Sequence, residues 1–201
     1  AASLSTHLRP STVVSMTTNE TNEPTIGVIL GSVRQGRFGE AVAHWVVDAG
    51  QAREGFSYQL LDLAEFNVPA LTAAVPPGAA NKQYENPAVT AWSKAVDACD
   101  GFVFVTPEYN HSVPGAMKNA FDSLGPEWAG KPVAFVGYGA DKAIRAVEHW
   151  RQIVANFSMF DVRNQVGFSI FSGEFDEAKA ANAGALDRML TDLEGALNAR
   201  G

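Results

Sequence analysis

The sequence predicts an α/β protein built on a doubly wound, five-stranded parallel sheet. Segments with a strand pattern alternate with segments of helical pattern five times between residues 25 and 197, which is typical of this architecture. Two of the strand segments, residues 26–30 and 101–106, are almost continuously apolar, as expected for strands that helices cover on both faces. A glycine-rich turn follows the first of them, at the edge where open parallel sheets bind ligands.

Each element rests on a local pattern. The strands are short apolar runs, and the helices carry apolar residues on one face at i, i+3 and i+4 spacing. The first helix, for example, begins near Phe38 and ends at Gly50. The predicted strands are residues 26–30, 58–62, 101–106, 131–137 and 161–171, and the predicted helices are residues 38–49, 89–99, 114–122, 143–157 and 186–197.

One connection, residues 63–86, is long for a compact domain, and unstructured loops of this length are usually functional or form interfaces. It carries the apolar residues Phe66, Val68 and Leu71, so a fully solvated linker is not expected. We expect this loop to pack on a partner or over a ligand.

Composition bounds the class of protein. A chain of 201 residues with 46% hydrophobic and 18% charged residues suits one soluble globular domain, and no apolar run in it is long enough for a membrane span. The net charge of −7 argues against nucleic acid as a partner, because phosphate backbones bind basic surfaces. The single cysteine, Cys99, excludes an internal disulfide and favours a reducing, cytoplasmic location. Residues 1–23 lack apolar periodicity, which predicts a flexible arm before one domain at residues 24–201.

The turn at residues 31–39 has the composition of an anion site. Its glycines allow the backbone to turn tightly and approach a ligand, Ser32 offers a hydroxyl, and Arg34 and Arg37 bring positive charge. The helix that begins near Phe38 would add its N-terminal N–H groups and the positive end of its dipole. The pattern therefore predicts a bound phosphate group.

The turn resembles two nucleotide-binding motifs but matches neither of them. The spacing of Gly31 and Gly36 matches the start of a Walker A loop, but Arg37 and Phe38 stand where lysine and Ser/Thr should be. A dinucleotide fingerprint would need glycine in place of Val33. The turn therefore favours a monophosphate without a metal, and FMN is the leading candidate.

A second polar stretch follows the most clearly buried strand and runs Pro107-Glu-Tyr-Asn-His-Ser-Val-Pro-Gly-Ala-Met-Lys-Asn-Ala. In an open parallel sheet this stretch and the first turn should be neighbours, which places Tyr109 and Asn110 beside a flat ring. The fourth strand brings a third loop, beginning with Tyr138 and Gly139, to the same edge.

Both stretches carry a likeness to a known family. At Gly31-Ser-Val-Arg-Gln-Gly-Arg and at Pro107-Glu-Tyr-Asn-His-Ser-Val-Pro-Gly-Ala-Met-Lys-Asn-Ala the chain resembles the NAD(P)H-dependent FMN reductases, which include flavodoxin-like quinone, azo and chromate reductases. The likeness runs from about Thr25 to Leu197. It implies a flavodoxin-like sheet of order 2-1-3-4-5 and FMN bound without a covalent link.

The resemblance also implies which residues bind FMN. Ser32 and Arg34 match the phosphate-binding positions of the family, and residues 107–110 match the loop that lies along the isoalloxazine. Arg37 and Gly39 stand where many relatives have serine and asparagine, and the third loop is bulkier than in many relatives. The expected cofactor-binding residues are Ser32, Arg34, Gly36, Arg37, Phe38, Pro107, Glu108, Tyr109, Asn110, Tyr138 and Gly139.

The function implied by the resemblance is hydride transfer from NAD(P)H through bound FMN to quinones, free flavin or other small oxidants. No catalytic side chain is expected, because the flavin carries the chemistry. No metal is expected either, because the sequence has no Cys/His cluster with metal-ligand spacing. The alternatives are a flavodoxin-like one-electron carrier and a non-enzymatic flavin-binding protein. Carriers similar to flavodoxin surround the phosphate with neutral groups, so Arg34 and Arg37 favour a reductase. The Glu108 carboxylate should turn away from the flavin or pair with a cation across an interface.

We also expect a homodimer or a homotetramer. The apolar loop at residues 63–86, together with Trp92 and Trp128, exceeds what one small domain easily buries, and closed symmetric assemblies are the commonest kind. The resemblance implies the same. The other expected partners are small-molecule electron acceptors, with neither nucleic acid nor membrane among them.

Overall fold

The structure is a computed structural model that describes residues 23–171 and 173–200. The flexible arm predicted at residues 1–23 lies outside the described residues except for Glu23. The strands are β1 (Thr25–Leu30), β2 (Ser57–Asp62), β3 (Gly101–Pro107), β4 (Pro132–Gly139) and β5 (Phe160–Ser169). The helices are α1 (Gly39–Gln51), α2 (Leu63–Phe66), α3 (Pro87–Asp97), α4 (Gly115–Asp122), α5 (Ile144–Val154) and α6 (Phe175–Asn198), with short 3-10 turns at Pro77–Ala79, Pro126–Trp128 and Ala155–Phe157.

The five strands form one parallel sheet in the order β2-β1-β3-β4-β5. The predicted architecture and the predicted strand order are both confirmed. Because β1 pairs with β2 on one side and with β3 on the other, the chain reverses its direction of winding at β1. The switch point of the sheet, where such folds bind ligands, therefore lies beyond the carboxyl end of β1.

Helices cover both faces of the sheet, and β3 shows the consequence. Its residues Val103 and Val105 pack in the cluster that contains α1 and α6, whereas Phe102 and Phe104 pack in the cluster that contains α3, α4 and α5. All four side chains are at most 1% exposed. A strand buried on both faces needs apolar residues at every position, which explains the continuous run in the sequence.

The tryptophans are buried inside the chain, and this corrects the argument for an interface drawn from Trp92 and Trp128. Each is 1% exposed, and the two rings pack with their centroids 6.1 Å apart. The indole N–H groups donate to the carbonyl oxygens of Ala120 and Phe121 at 2.8 and 3.1 Å respectively. Neither residue needs a second copy of the chain to leave water.

The long loop packs on its own domain. Its apolar residues Phe66 and Val68 are therefore partly buried without a partner or a ligand. Its first residues form α2, and Phe66 and Val68 pack against the core. Asn119 of α4 holds the middle of the loop, because its side chain accepts from the Leu71 N–H at 2.9 Å and donates to the Pro69 carbonyl at 2.8 Å. Leu71 itself remains 41% exposed.

Helix α6 begins at Phe175, well before the apolar pattern that predicts it from Leu186 onward. Its first half is rich in alanine, which favours helix without needing a buried stripe. Although α6 has 24 residues, neither it nor any other helix within residues 23–171 and 173–200 is apolar over a length that could cross a membrane.

Candidate functional site

Three loops meet at the carboxyl edge of the sheet, after β1, β3 and β4. The strand register fixes their approach: Leu30 pairs with Val105, and Pro107 pairs with Tyr138. The first two loops touch directly, since the hydroxyl groups of Ser32 and Tyr109 share a hydrogen bond of 3.1 Å. The predicted neighbourhood of the two sequence motifs is therefore confirmed.

The first loop presents backbone N–H groups and one arginine at its surface. Ser32 is 3% exposed, whereas residues 33–36 are exposed and Gly36 turns the chain with a φ of +61°. Helix α1 follows, and no side chain caps its first N–H groups. The guanidinium of Arg34 makes no hydrogen bond within the described part of the chain, so it is available to a ligand. Uncapped helix N-termini beside a cation favour an anion.

Arg37 is used differently from Arg34. Its guanidinium forms a bidentate pair with Asp62, at the end of β2, and Nη1 also donates to the Ser32 carbonyl at 2.7 Å. Both side chains of the pair are only 12% exposed. The hydrogen bond to Asp62 raises the pKa of Arg37 against the opposing effect of burial. Arg37 therefore ties the backbone of the first loop to β2.

Phe38 belongs to an aromatic cluster beneath the first loop. Its ring centroid lies 5.7 Å from that of Tyr138, 5.2 Å from that of Phe175 and 6.5 Å from that of Phe168. These distances are typical of packed aromatic pairs. The cluster joins the start of α1 to β4, β5 and α6, and so supports the loop from below.

The second loop is a tight hairpin. Tyr109 and Ser112 exchange two backbone hydrogen bonds, of 3.0 and 3.1 Å, and the two residues between them have positive φ angles, 49° at Asn110 and 67° at His111. Asn and His are among the residues that tolerate this conformation. Ser112 also shares a 2.9 Å hydrogen bond with Nδ1 of His149 on α5. Pro107 is buried as the last residue of β3.

Glu108 points into α5. Its side chain is 8% exposed and forms an ion pair with Arg145. The same carboxylate accepts the backbone N–H groups of Arg145 and Ala146 at 3.1 and 3.3 Å, and so caps the start of that helix. Hydrogen bonds to Asp141 and Glu108 raise the pKa of Arg145. The sequence led us to expect that this carboxylate would turn away from the flavin or pair with a cation across an interface. Its cation, Arg145, lies within the same chain.

The third loop fits closely because glycines in the strands make room for it. A Cβ atom at Gly137 of β4 would lie 2.6 Å from the Lys142 carbonyl oxygen, and one at Gly167 of β5 would lie 2.8 Å from the Lys142 Cβ. Lys142 and Ala143 both have positive φ angles, 59° and 55°. Tyr138 opens the loop with its ring under α1, and a Cβ at Gly39 would collide with its hydroxyl.

A family model described as NADPH-dependent FMN reductase matches residues 24–173. The chain belongs to this family. Membership confirms the resemblance found in the sequence, and the name of the family implies FMN as the flavin and NADPH as an electron donor.

The chain is similar to several curated members of the FMN reductase family. It is 42% identical over 125 residues to an NAD(P)H-dependent FMN reductase from Nectria sp, covering 60% of this chain and 62% of that one. It is 39% identical over 116 residues to an NAD(P)H-dependent FMN reductase from Schizosaccharomyces pombe, covering 58% of each chain. The matches thus span about three fifths of the length of these relatives. A quinone reductase from Escherichia coli is 37% identical over 135 residues, covering 63% of this chain and 66% of that one.

Solved structures support the fold of the FMN reductase family. The NAD(P)H:(acceptor) oxidoreductase FerB from Paracoccus denitrificans superposes with a TM-score of 0.65 at 18% identity, covering 86% of this chain and 98% of that one. A flavodoxin from Pseudomonas aeruginosa superposes with a TM-score of 0.57 at 17% identity, covering 85% of this chain and 99% of that one. At these identities the likeness shows the flavodoxin-like fold alone.

The donors around the first loop fit the phosphate group of FMN. Helix α1 starts without a side-chain cap, Ser32 offers a hydroxyl and Arg34 offers an unpaired charge. The Tyr138 hydroxyl beneath the loop is buried and has no hydrogen-bond partner in the described residues. Buried polar groups are almost always hydrogen-bonded, so this unpaired hydroxyl favours the binding of a hydrogen-bond acceptor at the loop. Asp, Glu, His and Cys side chains form no metal-binding group within residues 23–171 and 173–200.

Sequence reasoning missed two functional neighbours. Asp62, the partner of Arg37, could have been found, because it is an acidic residue that ends β2, the strand beside β1. Arg145 follows the third loop, and only the packing of α5 against the hairpin reveals its pairing with Glu108. Tyr138 was predicted to contact the flavin ring, and in the structure its own ring packs against Phe38.

Proposed function

We propose that this chain is an FMN-dependent oxidoreductase that transfers hydride from NAD(P)H, by way of bound FMN, to quinones, free flavin or other small oxidants. The observation that carries the proposal is the meeting of an uncapped helix N-terminus, an unpaired Arg34 and the hairpin at residues 107–112 on one edge of the sheet. Membership of the FMN reductase family supports it. Cys99 is buried as a free thiol, which suits the reducing environment of the cytoplasm.

In this proposal the first loop holds the phosphate and the hairpin holds the ring. Ser32, Arg34, Gly36 and the start of α1 at Phe38 bind the phosphate oxygens, and Arg37 positions the loop through Asp62. Pro107 to Asn110 lie along the isoalloxazine, and Gly139 of the third loop borders it. When bound, FMN accepts hydride from the nicotinamide and passes electrons to the acceptor.

The side chains of the hairpin set its position and its electrostatics. Ser32 fixes the Tyr109 hydroxyl at 3.1 Å, and His149 fixes Ser112 at 2.9 Å. Arg145 neutralises the Glu108 carboxylate, so a negative charge directly behind the loop does not oppose the charge that a flavin gains on reduction. The chain thus orients the reactants and tunes the field without a catalytic acid or base.

Anaerobic titration of the FMN-loaded protein with NADPH, and separately with NADH, tests the proposal. We expect at least one nucleotide to bleach the flavin absorbance completely and to support ping-pong turnover with a quinone, because donor and acceptor would use the same open side of the ring in turn. Oxidised nucleotides serve as controls and should change nothing. Absence of bleaching with both donors would contradict the reductase function, and negligible turnover with NAD(P)H would favour a one-electron carrier.

A homodimer or homotetramer remains our prediction for the assembly. The evidence for it is now the exposed apolar side chains, because Trp92 and Trp128 are buried within the chain. Four of the seven large apolar side chains exposed in the described residues lie in the segments directly after β1, β4 and β5, at the carboxyl edge of the sheet. They are Val33, Ile144, Ile170 and Phe171. Exposed apolar residues gathered in one region often mark an interface.

Light scattering of the FMN-loaded protein at micromolar concentration should give the mass of a dimer or of a tetramer. Phe171→Ser, which changes a side chain 78% exposed at the carboxyl edge, should shift the mass toward the monomer. Phe160→Ser is the matched control, because Phe160 is 54% exposed at the start of β5, at the opposite edge. A monomeric wild-type protein would refute the predicted assembly.

A further inference from the structure

Tyr138 carries the one buried side-chain polar atom within residues 23–171 and 173–200 that has no hydrogen-bond partner. The residue is 6% exposed, so bulk water does not replace the missing partner. Proteins rarely leave a buried hydroxyl in this state, because its desolvation is then uncompensated. Such a group at the edge of a binding site indicates a partner that arrives with the ligand.

The hydroxyl lies at the first turn of α1. A Cβ at Gly39, the first residue of that helix, would collide with the hydroxyl and with the adjoining ring carbons. The Tyr138 ring is held there by Phe38, at a centroid distance of 5.7 Å. Helix α1 has 13 residues and no side-chain cap. The helix N–H groups and the tyrosine hydroxyl therefore stand together at the same loop.

Two polar side chains near the Tyr138 hydroxyl have other hydrogen-bond partners within the chain. The Ser32 hydroxyl forms its side-chain hydrogen bond with Tyr109, and the Arg37 guanidinium is paired with Asp62 and the Ser32 carbonyl. Burial raises the pKa of Tyr138 to about 12, against the opposing effect of the nearby Ser32 hydroxyl. The hydroxyl consequently keeps its proton at neutral pH, as a donor to an anion must.

We propose that Tyr138 is a phosphate ligand of FMN, donating a hydrogen bond from β4 to a phosphate oxygen held at the first turn of α1. This assignment rests on the proposed function, and it differs from the ring contact expected from the sequence. A hydrogen bond between a neutral donor and an ionised acceptor is stronger than one between neutral groups. Tyr138 would therefore contribute to the preference for FMN over flavins that lack the phosphate.

Tyr138→Phe tests the assignment with the apo-protein, FMN and riboflavin, which has the same ring system without a phosphate. We expect the variant to bind FMN about 10- to 100-fold more weakly, the usual effect of losing one hydrogen bond to a charged group. Riboflavin affinity should be unchanged. The apo-protein should unfold at the same or a higher urea concentration, because the substitution removes a hydroxyl that the folded chain leaves without a partner.

Tyr58→Phe is the matched control. Tyr58 lies on β2 outside the first loop, is 3% exposed, and donates its hydroxyl to Glu194 of α6 at 2.7 Å. Loss of that hydrogen bond should lower the urea midpoint of the apo-protein and leave the ratio of FMN to riboflavin affinity unchanged. Tyr138→Phe should therefore lower the preference for FMN without lowering stability, and Tyr58→Phe should lower stability without changing that preference.

The outcomes separate this inference from the function on which it rests. If the wild-type protein binds FMN more tightly than riboflavin but Tyr138→Phe leaves that ratio unchanged, the phosphate assignment of Tyr138 is overturned and the FMN site stands. An equal loss for both flavins would overturn it as well, because the hydroxyl would then act on the ring or on the fold. If the wild-type protein fails to bind FMN, the proposed function falls and this inference falls with it.

Discussion

Arg34→Ala should weaken FMN binding by about 10- to 100-fold and leave the stability of the apo-protein unchanged, because a charge-assisted hydrogen bond to phosphate is lost. The Arg34 side chain lies on the exposed part of the first loop and makes no hydrogen bond within the described residues, so nothing in the apo-protein depends on it. Surface substitutions of this kind change the free energy of unfolding by about 0.5 kcal/mol or less.

Arg37→Ala should instead lower the free energy of unfolding of the apo-protein by about 2–4 kcal/mol. Its partner Asp62 is 12% exposed and would lose both of its hydrogen bonds to the guanidinium. Breaking a fully buried pair costs about 3–5 kcal/mol, and the remaining exposure of this pair lowers that figure. FMN affinity should fall too, because the Ser32 carbonyl loses the donor that holds the loop.

Urea unfolding of the apo-proteins and fluorescence titration with FMN distinguish the two arginines. The double variant should show both effects, with an FMN affinity lower by orders of magnitude. Lys82→Ala is the control, because it removes an exposed ion pair instead of a buried one. Lys82 and Asp97 are each 41% exposed, and exposed pairs contribute only about 0–1 kcal/mol to stability. Unchanged FMN affinity in the double variant would move the phosphate to another part of the chain.

Glu127→Ala should lower the free energy of unfolding by about 3–5 kcal/mol, because it removes the acceptor shared by several buried donors. Glu127 is 0% exposed. Its carboxylate accepts from the Tyr84 hydroxyl at 2.8 Å, from the Ser93 hydroxyl at 2.7 Å and from the Gly125 N–H at 3.0 Å. These bonds join the end of the long loop to α3 and to the segment after α4.

Two companion variants make the Glu127 experiment specific. Glu127→Gln keeps the volume and one acceptor oxygen, so its loss of stability should be intermediate. Glu65→Ala changes an exposed glutamate of α2 and should alter the free energy of unfolding by about 0.5 kcal/mol or less. Limited proteolysis should cut the long loop faster in Glu127→Ala, since Tyr84 loses its attachment. A loss below about 1 kcal/mol would mean that the buried network is dispensable.

The sequence by itself determined the architecture and the place of the site. Apolar runs such as residues 101–106 predict central strands, because a strand that is buried on both faces of a sheet needs apolar residues at nearly every position. The alternation of strands and helices then placed the 31–39 turn and the 107–112 hairpin at one edge. These inferences succeed because each depends on local periodicity and on general rules of chain topology.

Only the tertiary structure decided what each side chain of the site does. Arg34 and Arg37 are alike in residue type and both lie in the 31–39 turn, but Asp62 of the neighbouring strand binds Arg37 and leaves Arg34 exposed. The Tyr138 hydroxyl reaches the first turn of α1 because Gly39, far away in the sequence, leaves space for it. Such pairings depend on the relative positions of strands and helices in three dimensions. Composition and spacing along the chain therefore do not predict which side chains pair.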